Sequence, residues 1–168
     1  PQAELISPNA SSNDKFASTL SISESYIAIG APGFSANKAG AVHIFKSTTS
    51  GWIEDKVITP ISSFKSANFG ASLMLSGEYL IIGDDDHGRA HEGTGYIYKR
   101  EEGLWSLQAS LKGGDITKSA NFATSVAISK DYAVIGAKSE NNPLVKKHKK
   151  SGAAYVYKRT GKLWSSQA

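Results

Sequence analysis

Apolar residues alternate with polar or small ones in short stretches that come round three times along the chain. Phe16, Ser18, Leu20 and Ile22 fall on one face of an extended segment, as do Phe69, Ala71, Leu73 and Leu75, and Phe122, Thr124, Val126 and Ile128. A spacing of two predicts a strand that begins at each phenylalanine. Short polar turns follow at Ser23-Glu24-Ser25, Ser76-Gly77-Glu78 and Ser129-Lys130-Asp131. Residues 26–30, 79–83 and 132–136 are then apolar on both faces, as suits strands sandwiched between neighbouring sheets. Third strands run through Val42-His43-Ile44-Phe45-Lys46, Gly95-Tyr96-Ile97-Tyr98-Lys99 and Ala154-Tyr155-Val156-Tyr157-Lys158. Fourth strands start at Trp52, Trp105 and Trp164, after turns holding Gly51, Gly103 and Gly161, where a positive φ carries no steric cost.

The repetition has a fixed step of 53 residues, shared by Phe16, Phe69 and Phe122, by Tyr26, Tyr79 and Tyr132, and by Gly30, Gly83 and Gly136. Gly40, Gly93 and Gly152 step by 53 and then 59, so six residues are inserted between Gly136 and Gly152. The fold class predicted is all-β: three four-stranded antiparallel units, read as β-propeller blades whose sheets stack face to face. A meander or sandwich of duplicated units is the alternative architecture. Residues 1–168 form a single repeat region, with repeats at approximately 1–54, 55–107 and 108–168. Small residues at Ala17, Gly70 and Ala123 suit inner strands crowded near a central axis, and the tryptophans suit a wider outer strand.

Asn68-Phe69-Gly70-Ala71-Ser72 and Ile29-Gly30-Ala31-Pro32, with the later Gly-Ala-φ-Tyr-φ-Tyr and tryptophan, resemble the FG-GAP repeat of integrin α-subunit propellers and of many surface and secreted proteins. Repeats one and three carry Ala17 and Ala123 at the second glycine. The resemblance covers essentially the whole chain. It implies an extracellular or cell-surface recognition or assembly module, non-catalytic, binding protein or glycan through its inter-strand loops. Two alternatives stay open: calcium-dependent, lectin-like carbohydrate binding, and a purely structural subunit of a surface assembly.

Composition narrows the chemistry. The chain has 168 residues, 40% of them hydrophobic and 20% charged, which is ordinary globular composition. Without cysteine there are no disulfides, thiolate metal sites or cysteine nucleophiles. No apolar run approaches the ~20 residues that span a bilayer, and the opening residues have no signal-peptide pattern, so any export signal is expected outside the chain. Three blades do not close a ring, since propellers take ~4 to 8. Gln2-Ala3 and Gln167-Ala168 both align with Gln108-Ala109. A longer array, or self-association that completes the ring, is therefore expected, with strand donation across the ends.

Candidate sites are few. Calcium loops of the family, Asp-x-Asp-x-Asp-Gly, join the first two strands of an integrin blade, where this chain has only short turns. Its acidic run, Asp84-Asp85-Asp86, follows a second strand instead; a solvated polar loop capping its own turn is the first reading and no cofactor is expected, with Asp84, Asp86 and His87 the metal-ligand candidates should the run hold Ca²⁺. The net charge of +4 owes much to Lys146, Lys147, Lys149 and Lys150 in the lengthened loop, a patch suited to acidic proteins or sulfated glycans more than to nucleic acid. Arg89 and His91 join these lysines as partner-binding candidates, because variable loops on a constant scaffold are where recognition resides. Phe34, in the first such loop, is expected to anchor it. Asn9-Ala10-Ser11 has the pattern of a glycosylation acceptor. No nucleophile, base and orienting acid stand at a recognisable spacing around His43, His87, His91 or His148, so no enzyme is expected.

Overall fold

A computed structural model describes residues 3–35, 38–61, 68–86, 92–114, 120–141 and 150–167. Three antiparallel sheets account for the strands among them. The first holds β1 (Thr19–Ser23), β2 (Tyr26–Ala31), β3 (Ala41–Thr48) and β4 (Gly51–Ile58). The second holds β5 (Ser72–Ser76), β6 (Tyr79–Asp84), β7 (Thr94–Glu101) and β8 (Leu104–Leu111). The third holds β9 (Phe122–Ser129), β10 (Tyr132–Ala137), β11 (Ala153–Thr160) and β12 (Leu163–Ser166). Strands lie in chain order within each sheet, so every connection is a hairpin.

The hairpins follow from turn chemistry. Ser23 pairs with Tyr26, Ser76 with Tyr79 and Ser129 with Tyr132, leaving two-residue loops whose first members, Glu24, Gly77 and Lys130, have φ of 54°, 57° and 52°. A positive φ there matches the right-handed twist of the flanking strands. The β7–β8 turn carries two such residues, Glu102 at 49° and Gly103 at 82°. Equivalent bulges interrupt β3–β4 at Ile44/Phe45 and β7–β8 at Ile97/Tyr98.

The first strands differ from expectation at their start. β1 and β5 begin at Thr19 and Ser72, beyond the phenylalanine; the residues that follow the phenylalanines, Ala17, Gly70 and Ala123, are all left-handed, at φ 66°, 88° and 66°. Only β9 reaches back to its phenylalanine, and its register slips between Gly136 and Ala137.

Two apolar cores lie between the sheets. Tyr26, Ala28, Val42, Ile44 and Ile58 of the first sheet meet Phe69, Leu75, Leu80, Ile82, Tyr96, Tyr98 and Trp105 of the second. Ile81 and Ile97, on the opposite face of the second sheet, meet Phe122, Ile128, Ala133, Ile135, Tyr157 and Trp164 of the third. β6 is apolar on both faces because Leu80 and Ile82 serve one seam and Ile81 the other. Each such side chain contributes on the order of 1.5–3 kcal/mol by leaving water.

The seams repeat residue for residue. Thr19 Oγ1 donates to the Gly70 carbonyl at 2.7 Å, and Ser72 Oγ to the Ala123 carbonyl at 2.8 Å. A Cβ on Gly30 would stand 2.2 Å from the Gly70 oxygen, and one on Gly83 2.2 Å from the Ala123 oxygen. Glycine at 30 and 83 is therefore required by the backbone of the following sheet, and a Cβ on Gly70 would in turn stand 2.7 Å from the Ala41 oxygen. Arg100 covers the Tyr26 ring at 4.3 Å while Trp105 meets it edge-on at 6.0 Å; Arg159 and Trp164 treat Tyr79 alike at 4.9 and 6.3 Å.

The two outer faces have the same residues without a neighbour. Leu20 and Ile22 are 68% and 62% exposed, whereas Leu75 and Ile128, one and two steps on from Ile22, are 3% and 2% exposed. Tyr132 and Val134 are exposed on the third sheet. Residues 3–7 join none of the three sheets.

Candidate functional site

The first two loops of the β2–β3 type are tied to the sheet that follows them. Phe69 N–H donates to the Ala39 carbonyl at 3.1 Å, and Phe122 N–H to the Glu92 carbonyl at 3.0 Å. These bonds hold the ends of those two loops against the next repeat, so the two line up along one edge of the stack. Phe34 packs edge-on against the His43 ring at 5.3 Å, and so anchors the first loop as expected. His43 is itself buried, with Nδ1 2.7 Å from Glu54 Oε1.

The acidic run divides into three unlike carboxyls. Asp84 ends β6 and pairs across the sheet with Thr94, where the other two repeats pair Ala31 with Ala41 and Ala137 with Ala153. It is fully buried. Desolvation, aided by the Asp85 and Asp86 charges and opposed by the Asp86 backbone N–H, raises its carboxyl from 3.8 to about 8. Asp84 is thus held protonated at neutral pH. Asp85 instead bridges the seam to the third sheet: its Oδ1 accepts from Asn68 Nδ2 at 3.3 Å, its carbonyl from Asn121 Nδ2 at 3.4 Å, and its Oδ2 lies 3.9 Å from Lys138 Nζ. Asp86 is half-buried in the turn that follows. Among the described residues no three acids or histidines converge as a cation would require. His87, the third metal candidate, lies outside the described residues.

Of the basic candidates, Lys150 is described: it is exposed, with φ 57°, and its backbone N–H donates to Asn141 Oδ1 at 2.9 Å, closing the long loop at its base. Lys146, Lys147, Lys149, Arg89 and His91 lie outside the described residues. Asn9 is exposed in a turn.

The profile of the FG-GAP repeat matches residues 1–45 and 105–157. The chain belongs to the FG-GAP repeat family. No protein of the curated set matches it. The FG-GAP phenylalanines meet the equivalent ring in each repeat, edge-on or tilted: Phe16 stands 5.2 Å from His43, Phe69 5.5 Å from Tyr96 and Phe122 5.3 Å from Tyr155, with Phe69 and Phe122 fully buried and Phe16, which no preceding sheet covers, half-buried. The GAP segment holds the glycine that the next FG-GAP repeat presses against.

One feature of the loop edge is absent from the sequence-based candidates. A cavity of about 240 Å³ opens at the seam between the first two repeats, lined by Asn13, Lys15, Pro32, Gly33, Lys38 and Asn68. Its residues come from three separate segments, so spacing does not group them. The step of 53 gives a partial signal, since it relates Lys15 to Asn68 and Pro32 to Asp85.

Proposed function

We propose that this FG-GAP chain is a non-catalytic recognition module of the extracellular space or cell surface, contacting a protein or glycan through the loops along one edge of its stacked sheets. The observation that carries the proposal is the pair of bonds from Phe69 and Phe122 to the Ala39 and Glu92 carbonyls, which hold unlike loops in a row on a repeated scaffold. Arg89 and His91 of the second loop, with Lys146, Lys147, Lys149 and Lys150 of the third, supply contacts to an acidic surface. No helix among the described residues is long and apolar enough to cross a membrane.

Salt-dependent retention on immobilised heparin tests the contact region. Replacing Lys146, Lys147, Lys149 and Lys150 together by serine lowers the salt needed for elution if the third loop binds anionic partners. Elution of this variant alongside the parent chain removes the lysine loop from the proposal.

A second reading, assembly, is favoured by the outer faces. Leu20, Ile22, Tyr132 and Val134 are exposed at positions that the seams bury, so further repeats or a second copy would cover them in the geometry already used twice.

A further inference from the structure

We infer that the outer face of the third sheet is a docking site for the outer face of the first sheet of a second copy of this chain, so that copies join head to tail; this names the partner of the assembly reading and rests on it.

Both seams within the chain use one set of contacts, and the third sheet keeps the receiving half of that set. Thr19 Oγ1 and Ser72 Oγ donate to the Gly70 and Ala123 carbonyls, and the missing side chains of Gly30 and Gly83 leave the space those carbonyls occupy. One step of 53 on, Ser125 and Gly136 hold the same two positions. Ser125 is exposed, and the three atoms nearest to a Cβ on Gly136 all belong to Ser125. Both residues line a recess of about 170 Å³, with Val134 and Ala154 among its other walls. Val134 and the half-buried Val156 stand where Ile81 and Ile97 are fully buried in the second seam. Ser151 is the counterpart of Ala39 and Glu92, whose carbonyls accept from the Phe69 and Phe122 N–H groups.

The first sheet carries the entering half. Ala17, the counterpart of Gly70 and Ala123, has their left-handed backbone, at φ 66° against 88° and 66°, although no sheet precedes it. Residues with a Cβ seldom adopt this conformation, and in the seams it accompanies the carbonyl that enters the preceding sheet. Phe16 supplies the N–H for the Ser151 carbonyl, Leu20 and Ile22 supply the apolar surface, and Trp52 takes the place at Tyr132 that Trp105 takes at Tyr26. Trp52 is half-buried, whereas Trp105 and Trp164 are buried against their tyrosines.

Charge selects the first sheet over the other two. Arg100 Nη2 lies 3.9 Å from Glu24 Oε2 across the first seam. By the same step Lys130 stands in the place of Glu24 on the third sheet, and Ser47 in the place of Arg100 on the first. A second or third sheet docked there would set Arg100 or Arg159 against Lys130; a first sheet sets a neutral serine. One bond has no counterpart, since Ser21 Oγ accepts from the Leu75 N–H at 3.0 Å and Ala127 stands in the place of Ser21. The junction is therefore weaker than a seam and forms with rising concentration. Two copies of three sheets each make six, within the ~4 to 8 that close a propeller.

Sedimentation equilibrium of Ile22→Asp and Val134→Asp, alone and mixed, tests the pairing; both replaced side chains are exposed. Each variant alone is expected at 17.9 kDa, because every head-to-tail junction then contains an aspartate. The equimolar mixture is expected to recover a species of twice that mass, since the first sheet of one variant and the third sheet of the other are intact. Adding Gly136→Ala to the Ile22→Asp chain should weaken the recovered pair by roughly 5- to 150-fold. Added to the Val134→Asp chain, whose third sheet the pair does not use, it should leave the pair unchanged. A parent chain that stays at 17.9 kDa at every concentration overturns the second copy as occupant and leaves the face to a sheet of another chain. Association retained by one variant alone, or absent from the mixture, overturns the head-to-tail pairing while keeping the outer faces as the associating surfaces. Association of both variants alike with the parent overturns the assembly reading as well.

Discussion

Asp84 is a carboxylic acid at a position where its two counterparts, Ala31 and Ala137, are alanine, and burial holds its pKa at about 8. The folded chain therefore binds a proton that the unfolded chain releases near pH 4, and stability attributable to this group falls as pH rises through the window from about 4 to about 8. Below that window both states are protonated and the group is neutral to folding. Asp84→Ala, which matches the other repeats, is expected to remove this slope and to stabilise the chain by a few kcal/mol at pH 8, with little gain at pH 4. Urea unfolding of both proteins across this range, read as the difference between them, checks the prediction. A difference independent of pH would show that Asp84 is not protonated in the fold.

At the scale of the element, a strand is positioned by what the adjoining sheet presses against it. Gly83 and Gly136 make the comparison: a Cβ on either meets its own sheet's hydroxyl, Ser72 Oγ at 2.1 Å or Ser125 Oγ at 2.3 Å, but only Gly83 also meets a backbone, the Ala123 oxygen at 2.2 Å. A serine side chain moves aside and a packed carbonyl does not. Gly83→Ala should therefore destabilise by about 1–3 kcal/mol more than Gly136→Ala in denaturant unfolding. The sequence made these strands legible because alternation and a constant step act together: Tyr26, Tyr79 and Tyr132 begin second strands as their pattern predicts. It did not reveal that Ala17, Gly70 and Ala123 are left-handed, since two of the three are not glycine. Asp84 reads as a loop acid in sequence. Its burial follows from a place on β6 facing Thr94, which the alignment with Ala31 hints at and local polarity conceals. The seam cavity was less legible still, being assembled from Lys15, Pro32, Lys38 and Asn68 on different segments.

Across the whole molecule, the same seam occurs twice and its two halves are left uncovered at the ends. Tyr132 has no tryptophan of a following repeat, and Gly152 has nothing closer than 3.4 Å where Gly40 and Gly93 meet the Phe69 and Phe122 oxygens at 2.2 and 2.0 Å. The chain is expected to self-associate as its concentration rises, burying Leu20, Ile22 and Val134. Ile22→Asp and Val134→Asp should each shift sedimentation towards the 17.9 kDa species without the loss of stability expected of a charge at the buried Leu75. Unchanged sedimentation in both variants would show that association, if present, uses another surface.

The stacking of like repeats carries everything else, including the row of loops on which recognition is proposed, and NOE contacts of the three indoles test it most directly. Trp105 should show contacts to the Tyr26 ring and Trp164 to the Tyr79 ring, each reaching into the preceding repeat. Contacts from Trp105 to Tyr79 and from Trp164 to Tyr132, each within its own repeat, would contradict the stacked arrangement.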